Sequence, residues 1–78
     1  MENLAKYNTA FLESFGIDES KLNDLEYESI LEWDSVAHMG LIAEIEEAFE
    51  IELDIDDVID FGSYIKGKEI LKKYNVEI

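Results

Sequence analysis

The sequence predicts an all-α fold: a small antiparallel bundle of three main helices plus one short helix, with a long loop between the first and second helices. Two observations lead to this prediction. Apolar side chains recur at three- and four-residue steps in separate segments of the 78-residue chain, as on the buried face of a helix. No proline, repeat or Gly/Ser-rich linker divides these segments, so we expect residues 1–78 to form a single domain.

The first predicted helix contains Leu4, Tyr7, Phe11 and Phe15 on one face and ends at Gly16. The residues from 17 to 34 then follow without sustained periodicity. A connection of this length in a small domain usually packs as a structured element or serves a function, so we expect its apolar residues to be buried. They are Leu22, Leu25, Tyr27, Ile30, Leu31 and Trp33.

The strongest helical pattern begins at Ser35 and ends near Glu50. At 100° per residue one arc of this helix contains Leu41, Ile42, Ile45 and Phe49, with Ala48 at its edge. Asp34 and Ser35 are both suitable residues to cap the start of this helix.

Two shorter helices complete the predicted fold. Asp56 and Asp57 ahead of Val58 favour a short capped helix, although the β-branched residues of this segment also suit a strand. Ser63 then caps a last helix, in which Gly67 costs roughly 1 kcal/mol of helix propensity relative to alanine. We therefore expect close packing between helices at Gly67.

Acidic residues dominate the charge of the chain. Twenty Asp and Glu residues face six lysines and no arginine, which gives a formal net charge of −14, and residues 22–65 contain fourteen acids and no base. Such a surface repels nucleic acid and anionic lipid and attracts basic protein surfaces. A solvated face that aids solubility is the commoner origin of an acidic run.

Other features of the sequence limit where and how the chain works. It has no cysteine and no apolar stretch near the ~20 residues that a membrane span needs. Its first residues lack the basic start and apolar core of a secretory signal. We therefore expect a cytoplasmic monomer without disulfides, membrane insertion, nucleic-acid binding or a metal site.

The second predicted helix has a second apolar stripe on the side away from its core arc. Val36, Met39 and Ala43 form this stripe, and Glu46 and Glu47 flank it. Solvated helix backs do not need such a stripe, whereas docking surfaces do. We predict that these five residues bind partner proteins, and we expect lysine at both glutamates to leave folding nearly unchanged.

A spaced series of acidic and apolar residues begins where the long loop meets this helix. It consists of Asp34-Ser35-Val36, Leu41-Ile42, Ile45-Glu46-Glu47, Phe49, Ile51, Asp57-Val58-Ile59, Ser63, Ile70 and Tyr74. The series resembles the signature of acyl carrier proteins, the phosphopantetheine-binding carrier domains. The likeness covers most of the chain after the first loop, and the first helix agrees only in its apolar pattern.

The resemblance implies that Ser35 is esterified with 4′-phosphopantetheine, taken from coenzyme A by a separate phosphopantetheinyl transferase. It also implies that Asp34 supports this reaction by helping to bind the transferase's metal. The protein would be a non-catalytic carrier of acyl thioesters. Its partners would be acyl-loading and acyl-transferring enzymes with basic docking patches, in fatty-acid, polyketide or specialised acylation biosynthesis. A helix start suits this attachment because its backbone N–H groups favour a phosphodiester.

Three residues depart from the pattern of fatty-acid synthesis. Carriers of that pathway often have acids at the positions of Ala37 and Gly40. The local sequence around His38 is more similar to that of carriers of a specialised acylation or surface-polymer pathway. His38 falls within the apolar arc. A packed, hydrogen-bonded histidine is the favoured interpretation, and a catalytic or pH-sensing histidine is the alternative.

The residues disfavour a calcium loop and an enzyme, and they leave one alternative function open. A calcium loop counted from Asp54 would need glycine and glutamate where Ile59 and Ile65 stand. An enzyme built on Ser35 lacks a base partner. The remaining alternative is an unmodified acidic interaction module that binds a basic partner, and aminoacyl or peptidyl cargo stays open for a carrier.

Overall fold

The computed structural model describes residues 2–78, and within that range the chain forms five helices and no β-strand. They are α1 (Asn3–Phe15), a 3₁₀ helix (Glu19–Asp24), α2 (Ser35–Phe49), α3 (Ile55–Asp60) and α4 (Tyr64–Lys72). The all-α prediction is therefore confirmed. The Cα radius of gyration of 11.2 Å matches the ~11–12 Å expected for a compact chain of this length. No helix in the described range is long and apolar enough to cross a membrane.

An aromatic cluster on α1 organises the core. Phe11 is fully buried, and its ring centroid lies 5.7 Å from that of Trp33, 6.2 Å from Phe61 and 5.3 Å from Tyr64. These three rings come from the long loop, the end of α3 and the start of α4. One side chain of α1 thus contacts every later part of the aromatic core. Gly16 ends α1, as predicted, and the structure shows it in the left-handed conformation with φ +63°.

The segment between α1 and α2 is structured and tied to the far end of the chain. Leu22, in the 3₁₀ helix, and Leu25 are both buried. The Tyr27 N–H donates to the Gly62 carbonyl at 2.9 Å, and the Tyr64 N–H donates to the Leu25 carbonyl at 3.0 Å. These two bonds hold the segment against the start of α4.

The prediction that this segment buries its apolar side chains is right for Trp33, as for Leu22 and Leu25, and Ile30 is half-buried. It is wrong for Tyr27, which is 38% exposed, and for Leu31, which is 96% exposed. The Trp33 N–H donates to the Ile30 carbonyl at 3.2 Å and closes a tight turn. Leu31 lies at the tip of that turn, so its side chain projects into solvent while Trp33 points inward.

Close packing at Gly67 is confirmed. Gly67 is buried in α4, and a Cβ added there would overlap the Tyr7 hydroxyl and the Phe61 ring. The Ser63 hydroxyl caps the same helix by accepting the Lys66 N–H at 2.9 Å. The glycine is thus what lets α4 approach α1.

Asp57 connects α3 to the residues that follow α4. Its buried carboxylate accepts hydrogen bonds of 2.5 Å from both the Lys73 ammonium and the Tyr74 hydroxyl. The Tyr74 oxygen in turn accepts the Asp54 N–H at 2.9 Å. The bonds from Lys73 and Tyr74 hold the pKa of Asp57 below its ordinary value.

Candidate functional site

Asp34 and Ser35 lie side by side at the start of α2, with different roles. The Asp34 carboxylate accepts the Ala37 N–H at 2.8 Å and caps the helix. Ser35 is the first helical residue and is exposed. The expectation that either residue could cap the helix is thus resolved in favour of Asp34, and Ser35 presents its hydroxyl at the protein surface.

A cavity of about 480 Å³ opens beside Ser35, between α2 and α3. Most of its wall is apolar. Its lining residues are Tyr27, Ser35, His38, Met39, Val58, Ile59, Phe61 and Gly62. The cavity therefore gives the serine hydroxyl an apolar neighbourhood at the surface.

His38 is half-buried and forms hydrogen bonds through both ring nitrogens. Its Nδ1 accepts the Trp33 indole N–H at 2.9 Å, and its Nε2 lies 2.8 Å from the Val58 carbonyl oxygen. An indole nitrogen can only donate and a carbonyl can only accept. The ring is therefore the neutral tautomer with its proton on Nε2. His38 is packed and hydrogen-bonded, as the favoured interpretation of the sequence expects.

Four of the five residues predicted to bind partners share an exposed face of α2. Val36 is 80% exposed, and Met39, Ala43 and Glu47 are exposed as well. Glu46 differs: it is half-buried, and its carboxylate accepts the Leu53 N–H at 2.8 Å. The expectation that lysine at this position leaves folding unchanged is therefore wrong, because the substitution would remove the acceptor of a backbone donor.

The helix α3 has an exposed apolar stripe that was not predicted from the sequence. Ile55 and Ile59 are one helical turn apart, and both are mostly exposed, Ile59 to 73%. Ile59 and Met39 line the same cavity. The four-residue spacing of the two isoleucines was the available signal, because a six-residue helix can bury only one narrow face.

Within residues 2–78, no three His, Asp or Glu side chains converge in a way that could hold a metal ion. No protein-family model matches the sequence, and no curated protein matches it. Inference about function therefore depends on the geometry around Ser35.

Proposed function

We propose that this chain is an acyl carrier protein in which Ser35 bears 4′-phosphopantetheine. The observation that supports it is the exposed Ser35 hydroxyl at the first position of α2, on the rim of an apolar cavity. The attached group would supply the thiol that holds acyl groups as thioesters. We further propose that α1, α2 and α4 form the antiparallel bundle of that family and that α3 is its short helix.

The start of α2 suits a phosphodiester. Asp34 takes up two N–H groups of the first turn, that of Ala37 through its side chain and that of His38 through its carbonyl at 2.8 Å. The N–H groups of Ser35 and Val36 also belong to this turn, where a helix has no internal acceptors to offer. They would meet an anionic group attached at Ser35 favourably, with the helix dipole adding to the effect.

The cavity beside Ser35 suits the apolar part of a cargo. At about 480 Å³, it lies within the ~300–1,000 Å³ range of small-molecule sites. Met39 from α2 and Val58 and Ile59 from α3 present aliphatic or thioether surface to it. These side chains would bind and shield an acyl chain while a polar amino acid would gain little there, so we favour an acyl cargo.

The partners would be a phosphopantetheinyl transferase and acyl-loading or acyl-transferring enzymes with basic patches. The formal net charge of −14 would attract such patches. Val36, Met39, Ala43 and Glu47 would contact them, with Glu46 acting mainly through its backbone bond. We propose that the carrier works as a monomer in the cytoplasm.

One observation favours the alternative, an unmodified acidic module that binds a basic partner. Val36 and Met39 on α2 and Ile55 and Ile59 on α3 give the surface apolar anchors that need no attached group. The two functions differ in whether Ser35 is modified, which mass spectrometry detects directly.

The test is the intact mass of the protein after co-expression with a phosphopantetheinyl transferase. We expect wild type and the control Ser20→Ala to gain the mass of one phosphopantetheine, and Ser35→Ala to gain none. Because Asp34 is the cap, Ser35→Ala should change the free energy of unfolding by less than ~0.5 kcal/mol. An unmodified wild type would favour the interaction module, and a modified Ser35→Ala would place the acceptor elsewhere.

A further inference from the structure

His38 joins two parts of the site by hydrogen bonds, the turn that ends at Trp33 and the helix α3. On one side is Trp33, two residues before Ser35 and fully buried. Its ring stacks on Phe15 of α1 with 5.1 Å between centroids. A buried indole N–H needs an acceptor, and the Nδ1 atom of His38 supplies it at 2.9 Å. The Trp33 end of the connection is thus fixed to the core.

On the other side is α3, a short helix held in place by polar contacts together with the packing of Val58 and Phe61 against the core. It exposes Ile55 and Ile59 and buries Asp57, whose carboxylate is bound by residues after α4. The Val58 carbonyl belongs to the last turn, where helix carbonyls have no internal donor. The Nε2–H of His38 donates to it at 2.8 Å. His38 therefore anchors the edge of α3 that faces α2.

We propose that His38 is the positioning residue of this site, which holds α3 at a set distance from Ser35 and so sets the width of the cavity between them. Ser35 stands between Trp33 and His38 in the chain, and His38 and Val58 both line the cavity. The ring acts as a rigid spacer because each nitrogen has one direction and one partner. Its effect on the transfer of the phosphopantetheine arm to Ser35, called arm transfer below, rests on the proposed carrier function. The spacing role of His38 does not rest on that function.

The first test needs only wild-type protein. Nitrogen-15 NMR of the imidazole distinguishes the protonated from the unprotonated ring nitrogen. We expect Nδ1 to be unprotonated and Nε2 to carry the proton, and we expect slow solvent exchange of the Trp33 indole N–H. A proton on Nδ1 would overturn the proposal, because that nitrogen could not then accept from Trp33.

Two substitutions separate the two bonds. In His38→Asn the amide oxygen can take the place of Nδ1 and accept from Trp33, but the side chain is too short to reach Val58. In His38→Gln the amide N–H can take the place of Nε2 and donate to Val58, and the Trp33 bond is lost. Ile70→Val, in the buried face of α4, is the control for a general loss of stability.

Hydrogen exchange measures how far each substitution loosens the two ends of the connection, through the backbone amides of α3 and the indole N–H of Trp33. In His38→Asn we expect the Val58 and Phe61 amides, which are bonded within α3, to exchange roughly tenfold faster, with the Trp33 indole unchanged. In His38→Gln we expect the Trp33 indole N–H to exchange faster, with the Val58 and Phe61 amides unchanged. Uniform acceleration in both variants, as in Ile70→Val, would show that His38 only fills space and would overturn the proposal.

Arm transfer gives the functional readout. His38→Asn loosens α3, so it should raise the KM of the transferase several-fold. It keeps the Trp33 bond beside Ser35, so kcat should be unchanged. His38→Gln keeps the bond to Val58 that positions α3, so its KM should equal that of wild type. Equal KM values would overturn the link to function. If wild-type protein is not modified at all, the proposed function is wrong. The NMR and hydrogen-exchange results would still test whether His38 holds α3 in place.

Discussion

At the scale of single residues, Asp34 has a structural role as a helix cap and a proposed role in the transfer of phosphopantetheine, and substitutions can separate the two. Its carboxylate caps α2 through the Ala37 N–H, and the resemblance to carrier proteins gives its charge a role in arm transfer. Asn caps a helix nearly as well as Asp, whereas Ala does not. We expect Asp34→Asn to keep the free energy of unfolding within ~0.5 kcal/mol of wild type and Asp34→Ala to lose about 1 kcal/mol.

Arm-transfer rates then test the charge. Both variants should be modified more slowly than wild type, and Asp34→Asn should be slow although it is stable. Denaturant unfolding and initial rates of mass gain measure the two effects. An Asp34→Asn variant modified at the wild-type rate would leave Asp34 with the cap alone.

Neighbouring residues show what the sequence could and could not predict about the site. The start of α2 at Asp34 and Ser35 was predicted correctly because a helix start is a local feature, whereas the attachment of a group to Ser35 stays a prediction that depends on the resemblance. Glu46 and Glu47 are adjacent acids and look alike in the sequence, yet one of them binds the Leu53 N–H. That difference arises where the chain turns back after α2, and no local pattern encodes it.

At the scale of helices, we expect substitution of glycine by alanine to have opposite effects on stability at Gly67 and at Gly40. Ala is the better helix former by roughly 1 kcal/mol. At Gly40, in α2, nothing lies within 4 Å of an added Cβ, whereas at Gly67 it would overlap Tyr7 and Phe61. We expect Gly40→Ala to stabilise the protein by ~0.5–1 kcal/mol and Gly67→Ala to destabilise it by ~1–3 kcal/mol.

Thermal and urea unfolding of the two glycine variants measure this contrast. Stabilisation by both substitutions would mean that α4 can move away from α1 without loss, and it would contradict the close packing at Gly67. The expectation of close packing came from the sequence, because a glycine inside an amphipathic helix needs a reason. The partners, Tyr7 and Phe61, were known only from the fold.

The exposed face of α2 makes a prediction about association. Glu47→Lys should slow arm transfer mainly through the association rate, with a weaker dependence on salt. Met39→Ala should slow it by lost apolar contact, roughly 1 kcal/mol or more if the side chain is an anchor. Glu19→Lys, an exposed position on the 3₁₀ helix that packs against α1 and α4, makes the same charge change and serves as the control.

Initial rates of arm transfer at low and high salt distinguish a docking face on α2 from a general effect of net charge. If Glu47→Lys and Glu19→Lys slow the reaction equally, the effect is one of net charge rather than of a docking face. If neither these nor Met39→Ala has any effect, the partner surface lies elsewhere on the molecule. Glu46 is left unchanged in this design, since its loss would disturb the Leu53 bond.

The helices differ in how far their own sequence predicts them. The predicted bounds of α1 and α2 are close to those observed because both are long and periodic. The segment before α2 depends instead on bonds such as that between the Tyr64 N–H and the Leu25 carbonyl. These join residues nearly forty positions apart, and so the burial of Trp33 follows from tertiary contacts, whereas Leu31 is exposed because it lies at the tip of a local turn.

At the scale of the whole molecule, two electrostatic effects oppose each other as pH falls. The formal net charge of −14 at pH 7 destabilises the compact state through repulsion among carboxylates. Protonating some of them relieves that repulsion. The Asp57–Lys73 pair is the one ion pair within residues 2–78, and it needs the Asp57 carboxylate ionised. Stability should therefore rise at first and then fall.

The sign for Asp57 follows from its pKa. Lys73 and Tyr74 hold the pKa of the folded state below the ordinary value of 3.8, so the unfolded chain takes up the proton first. The stabilisation is fully present above that ordinary value and is lost as pH falls through the folded pKa. The loss should therefore begin below about pH 4, after most of the repulsion has been relieved.

We expect the free energy of unfolding of wild type to pass through a maximum between pH 7 and pH 4 and then to drop. Asp57→Asn should be less stable than wild type at pH 7, and the difference should shrink below about pH 4, because protonated Asp57 is as neutral as asparagine. Urea unfolding across this range measures both curves. Repeating it in ~0.15 M salt should flatten the rise, which comes from surface charges, and weaken the drop less, because the Asp57 carboxylate is buried although the Lys73 side chain is 61% exposed. If the curve of Asp57→Asn coincided with that of wild type at every pH, the Asp57–Lys73 pair would have no part in stability, and α3 would have to be held by the His38 bond, the Asp54–Tyr74 bond and its apolar contacts.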